Sequence, residues 1–261
     1  MRSIQDEHDN RNIGIDKVGV KNLKYPIVLS DKARRKQHTV ANINMYVNLP
    51  RGFRGTHMSR FVDILNEHKG EIAIRNIGTI LREMKEKLNA ESTHIELEFP
   101  YFIEKRAPVS GAKGLMEYNC KFIGSFTDKI RLFLGVSVPV TTLCPCSKEL
   151  VKRGAHNQRA MINVLVRFKG HVSRREFLWI EDLIELVEDC ASSPIYSVLK
   201  REDEKFVTEH AYDNPTFVED VVRNVAKKLN KDKRILWYSV GVESYESIHK
   251  HDAYAFIEKK C

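Results

Sequence analysis

Two thiols and an imidazole lie close together in the chain. Cys144 and Cys146 flank Pro145, and His156 follows Cys144 by twelve residues. The thiols leave an apolar segment, Pro139-Val-Thr-Thr-Leu, and His156 stands where the next alternating segment starts, so a single hairpin brings soft sulfur and borderline nitrogen toward one cation. A structural zinc site takes four protein ligands, commonly from two Cys or His pairs, and this sequence has no second pair. A metal held here keeps an open coordination position, as catalytic sites do. The same residues also suit an ordinary turn with a locally bonded histidine. A second cluster, Glu246, His249 and His251, falls between two strand-like segments. Histidine is the side chain best matched to proton transfer near neutral pH, although a solvated hairpin carries such residues too. Carboxylates form a third group. Glu202, Asp203 and Glu204 precede a possible short strand, and Glu219 sits early in a helix for which Asn214 or Thr216 is the candidate cap. Helix stabilisation is the plain account of Glu219. Gly55-Thr-His-Met-Ser-Arg opens a helix whose backbone N–H groups and Arg60 could hold a phosphate, with Thr56 as a simple cap the favoured reading. The glycines match neither a P-loop nor a dinucleotide fingerprint.

The elements that must position these groups follow from composition and periodicity. The 261 residues give one large or two small domains, and 42% hydrophobic with 30% charged residues describes a folded chain rather than a disordered one. No apolar run approaches the roughly 18 to 20 residues that span a bilayer. The first residues lack the apolar core of a secretory signal, so the chain reads as cytoplasmic. Five cysteines, unevenly spaced, read as reduced thiols, with Cys120 and Cys190 on apolar faces as core. A net charge of +8 suits nucleic acid or a small polyanion such as a nucleotide equally well.

Residues 1–25 read as a polar N-terminal arm. A short apolar stretch at 26–29 and alternation over 39–49 read as strands. Apolar residues then recur at three and four, from Phe61 to His68 and from Ile74 to Leu88, as two helices separated by Gly70. Strand-like segments follow at 94–103, 116–126, 130–140 and 159–168. A second helix pair is striped by Phe177 to Cys190 and by Phe217 to Leu229, and strands at 235–242 and 253–257 end the chain. The order strand, strand, helix, helix, strand, strand therefore occurs twice, over 26–128 and 129–261. Each half is expected to be an α+β layer, an antiparallel sheet with two helices on one face, whose other face finds cover by self-association into a barrel.

Several segments together resemble the type IB GTP cyclohydrolases, a prokaryotic family of the tunnelling fold. They are Asp16-Lys-Val-Gly-Val, Gly55-Thr-His-Met-Ser-Arg-Phe, Pro139-Val-Thr-Thr-Leu-Cys-Pro-Cys-Ser-Lys-Glu, Gly154-Ala-His-Asn-Gln-Arg, Asp203-Glu-Lys-Phe-Val-Thr-Glu, Asn214-Pro-Thr-Phe-Val-Glu-Asp and Ser247-Ile-His-Lys-His-Asp-Ala-Tyr-Ala. The resemblance implies a homotetramer of paired tunnelling-fold modules with active sites at subunit interfaces. It implies hydrolysis of GTP at C8 of the purine, giving formate and 7,8-dihydroneopterin triphosphate for pterin and folate synthesis. It also implies a divalent metal (zinc, manganese or iron) and no organic cofactor. Carried onto this sequence, Cys144, His156 and Glu204 look like the metal ligands, and Glu219 approaches the metal or grips the guanine edge. Cys146 resembles the essential thiol, its thiolate favoured by Lys148 and the metal. Glu246, His249 and His251 resemble the acid/base group. Arg60, Lys113, Lys148 and Arg159 are candidates for the triphosphate by location. Lys250 stands between the two histidines where many members have proline, which bears on loop shape. The rival readings are an archaeal-type enzyme making a cyclic phosphate, a nitrile-reducing relative that uses NADPH, and a basic, zinc-stabilised RNA-binding scaffold. The family reading expects neither membrane nor nucleic acid as partner.

Overall fold

A computed structural model describes residues 4–33, 35–68, 72, 74–168 and 178–260. Nine strands and six α-helices are formed by the described residues. They run β1 (Ile15–Ser30), β2 (Lys36–Leu49), α1 (Met58–Glu67), α2 (Ile74–Lys87), β3 (Thr93–Arg106), β4 (Lys113–Phe126), β5 (Ile130–Leu143), α3 (Pro145–Leu150), β6 (Asn157–Phe168), α4 (Ile180–Glu188), β7 (Ser193–Pro194), α5 (Arg201–Asp213), α6 (Val218–Leu229), β8 (Ile235–Ser244) and β9 (Ala253–Lys260). The hydrogen-bonded order of the sheet is β1-β2-β3-β4-β5-β6-β8-β9, with β7 paired to β5. No helix among the described residues is long and apolar enough to cross a membrane. The chain forms two compact units, one of residues 1–100, 121–134 and 170–172, the other of 101–120, 135–169 and 173–261.

In the first unit β2 pairs antiparallel with β1 and with β3, from Asn42 opposite Glu98 to Val47 opposite Thr93. Alternation turns Ala41, Ile43, Met45 and Val47 inward, where they are fully or almost fully buried. The helical stripes supply Phe61, Ile64 and Leu65 from α1 and Ile77, Ile80, Leu81 and Met84 from α2. Burying each such side chain stabilises the fold by about 1.5–3 kcal/mol. Gly124 on β4 lets the second helix approach closely, because a Cβ there would stand 2.5 Å from Ile77 Cγ2.

In the second unit β6 pairs with β8 from Ala160 opposite Ser244 to Phe168 opposite Ile235, and β8 pairs with β9 from Ser244 opposite Ala253. Helix α6 packs on β8 and β9 and meets α4. Its buried face is Val218, Val221, Val222, Val225, Ala226 and Leu229, the predicted stripe except that Phe217 is exposed and Ala226 is added. A charged network lies under the same sheet. Lys105 Nζ and Tyr118 Oη both donate to Glu188 Oε1 at 2.7 Å, and the lysine also donates to the Ile195 carbonyl at 2.8 Å. Burial lowers the Lys105 ammonium below its ordinary value against the opposing pull of Glu188, and burial raises the Tyr118 phenol.

Several expectations change. The polar arm ends earlier than residue 25, because β1 starts at Ile15. Its alternation is hidden in the sequence by two register shifts, between Ile15 and Val18 and between Val20 and Leu23, and by the positive φ of 59° at Asn22. The carboxylate-rich stretch at 201–213 is α5, not a loop leading to a strand. Only Asp203 and Ala211 of that helix are buried, so it carries no apolar stripe to read. Thr56 does not cap α1; His57 holds the N-cap position, without a side-chain cap bond. Neither Asn214 nor Thr216 caps α6. That position belongs to Phe217, whose N–H donates to Asp220 Oδ2 at 3.3 Å. Gly70 and Phe177 lie outside the described residues.

Candidate active site

Strand β5 ends in a loop that reverses into β6. Cys144 N donates to the His156 carbonyl at 3.2 Å, which sets the cysteine and the histidine opposite each other at the hairpin mouth. Gly154 supplies the turn, with φ of +74°. Cys144 is the N-cap of α3, its Sγ accepting from Ser147 N at 3.4 Å, and Pro145 fills the first helical position. Ser147 Oγ accepts from His156 N at 3.2 Å. The expected sulfur and nitrogen ligands are thus fixed by backbone bonds, and Cys144 and His156 are half-buried.

A cavity of about 260 Å³ opens beside them, lined by Cys144, His156 and Gln158 of the hairpin, by Glu219 and by Glu246, His249 and His251. Glu219 reaches it through a chain of polar contacts. Ser192 Oγ accepts from Leu143 N at 3.0 Å and lies 2.7 Å from Thr216 Oγ1, while Thr216 N donates to the Leu143 carbonyl. These contacts hold the start of α6 at the end of β5, with Glu219 in the first turn of the helix. Glu246 lies two residues beyond the end of β8, and the rings of His249 and His251 are stacked at 5.1 Å between centroids.

Three polar residues of the floor were not singled out from the sequence, namely Thr142, Gln158 and Ser244. Gln158 Nε2 donates to Glu246 Oε1 at 3.0 Å and to Ser244 Oγ at 3.2 Å, while its Oε1 lies 3.0 Å from His156 Nδ1. Ser244 Oγ donates to Glu246 Oε1 at 3.1 Å and lies 3.1 Å from Thr142 Oγ1. Gln158 follows His156 by two residues on an extended segment, so the strand period places both on one side. That spacing is the signal that finds it.

Glu204 does not join Cys144 and His156. Among the described residues no three His, Cys, Asp or Glu side chains converge on a single metal-binding point. The reason lies in the preceding residue. Asp203 is fully buried at the start of α5, where its Oδ1 accepts from Val109 N and Ser110 N at 2.9 Å and its Oδ2 accepts from the Ser110 hydroxyl and Lys200 N. One helical residue turns the side chain by about 100°, and Glu204 is accordingly exposed. Burial pushes the Asp203 carboxyl up, but the Ser110 hydroxyl and the three N–H groups outweigh it and hold it well below the ordinary carboxylate range.

Cys146 lies exposed on α3 and is not among the lining residues. Lys148, expected beside it, turns to Tyr212, donating to that carbonyl and lying 4.3 Å from the ring centroid. The other three triphosphate candidates also stand outside the lining. Arg60 donates to the Lys87 carbonyl at 3.1 Å, Lys113 pairs with Glu104 at 3.0 Å, and Arg159 is exposed on β6.

Known proteins resemble the chain at two levels. The α+β tunnelling architecture is shared with the uricase of Arthrobacter globiformis (TM-score 0.57, 8% identity, 95% of this chain and 93% of that one). A uricase from Bacillus fastidious gives a TM-score of 0.56 at 4% identity over 94% and 92%. At such identities the likeness is one of fold alone. The sequence relatives are much nearer. A protein of Geotalea uraniireducens (strain Rf4) named GTP cyclohydrolase FolE2 is 60% identical over 99% of this chain and 93% of its own length. Another of that name, from Syntrophus aciditrophicus (strain SB), is 58% identical over the whole of both chains. The family model described as type I GTP cyclohydrolase folE2 matches residues 1–255, and the chain belongs to that family, the type IB GTP cyclohydrolases.

Proposed function

We propose that the cavity between the Cys144–His156 hairpin, the start of α6 and the segment after β8 is where this GTP cyclohydrolase opens the purine of GTP. The reaction hydrolyses the C8 position, releases formate and yields 7,8-dihydroneopterin triphosphate for pterin and folate synthesis. One observation carries the placement, namely that a thiol, three imidazoles and two carboxylates line a single pocket.

The donor set suits a divalent cation. Cys144 offers sulfur, and His156 offers the ring nitrogen that Gln158 leaves unused. The carboxylate that completes the set is Glu204 by family resemblance, while Glu219 and Glu246 are the ones that line the cavity. Zinc, manganese and iron are all compatible with mixed sulfur, nitrogen and oxygen ligands. When bound, such an ion lowers the pKa of a coordinated water toward neutrality and so supplies the nucleophile.

The remaining steps fall to the side chains. Glu219 accepts from N1–H and the exocyclic amine of guanine, two donors on one edge that match the two oxygens of a carboxylate. His249 and His251 carry protons to N7 as the imidazole ring opens and later to and from the ribose oxygens. Glu246 receives protons from that pair. Cys146, exposed next to the hairpin, contacts the opened purine. Lys113, Lys148 and Arg60 are basic residues available to the triphosphate only once their present partners are exchanged, and Arg159 is available as an exposed residue of β6. The two halves of the sequence, 26–128 with the first part of β1 from Ile15 added to it and 129–261, act as paired tunnelling-fold modules in a cytoplasmic homotetramer, with no need of an organic cofactor, membrane or nucleic acid.

The test uses chelator-treated protein incubated with GTP, with zinc, manganese or iron returned separately. Formate release and a pterin fluorescent after oxidation are expected with at least one metal, and mass spectrometry identifies the triphosphate. No formate with any metal overturns the reading.

A further inference from the structure

We infer that Gln158 is a positioning residue that fixes the tautomer of His156, under the control of Glu246. The inference deepens the reading of His156 as a metal ligand, and rests on that reading only for its consequence on affinity.

A carboxylate oxygen only accepts, so the Gln158 atom 3.0 Å from Glu246 Oε1 is the amide nitrogen. The Ser244 hydroxyl has one proton and gives it to the same Glu246 oxygen, so Ser244 Oγ accepts from Gln158 Nε2 at 3.2 Å. Both bonds fix the amide in one orientation, and its carbonyl oxygen faces His156 Nδ1 at 3.0 Å. That oxygen has no proton to give. Nδ1 must therefore carry the hydrogen, and a neutral imidazole with Nδ1–H keeps Nε2 as a bare lone pair. Thr142 and Ser244, each 2% exposed or less, back the relay on its buried side.

The consequence is a histidine presented to the cavity as a ready acceptor, with its orientation and basicity set by a partner two residues along the strand. Outer partners of this kind change metal affinity by about 10- to 100-fold when removed. Without Gln158, water bonds either ring nitrogen, and half or more of the population holds the proton where a cation must bind.

The experiment uses the full chain with nitrogen-15 in its histidines, metal-free and at alkaline pH, in solid-state NMR. A His156→Asn sample identifies the His156 signals. Wild type is expected to show Nδ1 protonated and Nε2 bare, and Gln158→Leu to lose that single-tautomer signature. Zinc competition against a chelating dye should then show affinity lowered by about 10- to 100-fold in Gln158→Leu. The exchanged pair Gln158→Glu/Glu246→Gln keeps an acceptor facing His156 and a donor at 246, and should restore both nitrogen signals. An Nε2–H tautomer in wild type overturns the inference. So does Gln158→Leu with unchanged spectra and affinity, or an exchanged pair that restores neither nitrogen signal. Zinc binding that survives His156→Asn instead removes the ligand reading, and the nitrogen spectra still decide the tautomer.

Discussion

Cys144 and Cys146 lie two residues apart and meet different surroundings, which separates their expected roles. Cys144 caps α3 through its sulfur and lines the cavity, whereas Cys146 is exposed on the helix surface. Replacing Cys146 with Ala removes a thiol without emptying any packed volume. The expected result is unchanged thermal melting and unchanged zinc affinity, with formate release from GTP lowered by about 10²- to 10⁴-fold, as for the loss of a group that acts on the reacting atoms. Retained formate release in Cys146→Ala would remove this thiol from the chemistry. Legibility at this scale depended on how rare the chemistry is. A Cys-Pro-Cys pair with a histidine beyond it is an unusual combination, so Cys144 and His156 stood out. Gln158 did not, because an amide two residues past a histidine is ordinary until its three contacts are seen. Glu204 stands apart from Cys144 and His156 for a physical reason: its neighbour Asp203 is the carboxylate that the fold buries, and the sequence offers nothing to tell the two apart.

Helix α5 owes its start to Asp203, which bonds the first turn of the helix and the turn between β3 and β4 at once. Because the folded carboxyl titrates below its unfolded value of about 3.9, the charged form stabilises the native state. That contribution is fully present above the unfolded value and is lost as pH falls through the folded one. Thermal melts of wild type followed by circular dichroism should therefore fall steeply as pH drops from about 4 toward 2. Asp203→Asn should melt several degrees lower at neutral pH and show a shallower acid slope, since it lacks the titrating group. Parallel slopes in the two proteins would refute the assignment. The elements themselves were legible wherever one face is buried. The stripes of α1, α2 and α6 and the alternation of β2 were legible because burial on one side imposes a period on the sequence, but the second half carries four helices, α3 to α6, rather than the two expected. α5 and the first half of β1 escaped because most of their side chains are exposed and, in β1, because two shifts of register break the period.

Strand β9 is the last in the hydrogen-bonded order of the sheet, so among the described residues nothing pairs with the backbone N–H and C=O groups on one side of it. Its side chains add to that feature. Tyr254 and Phe256, on one face by the strand period, are 66% and 52% exposed, and Ile248 in the preceding loop is 64% exposed. A long apolar edge is a template for pairing with another chain unless something covers it, and a second copy of the same molecule is the cover that a barrel assembly provides. The edge also adjoins the cavity, since Ala253 at the start of β9 lines it together with His249 and His251. Assembly and activity should therefore be lost together. Light scattering on the eluting wild-type protein is expected to give the mass of four chains. Placing Lys at both 254 and 256 puts charge on the edge and should shift that mass downward, with formate release falling in step while the circular dichroism of each subunit stays native. A wild-type protein that runs as a single chain with full activity would sink the oligomeric reading and leave the cavity complete within one subunit.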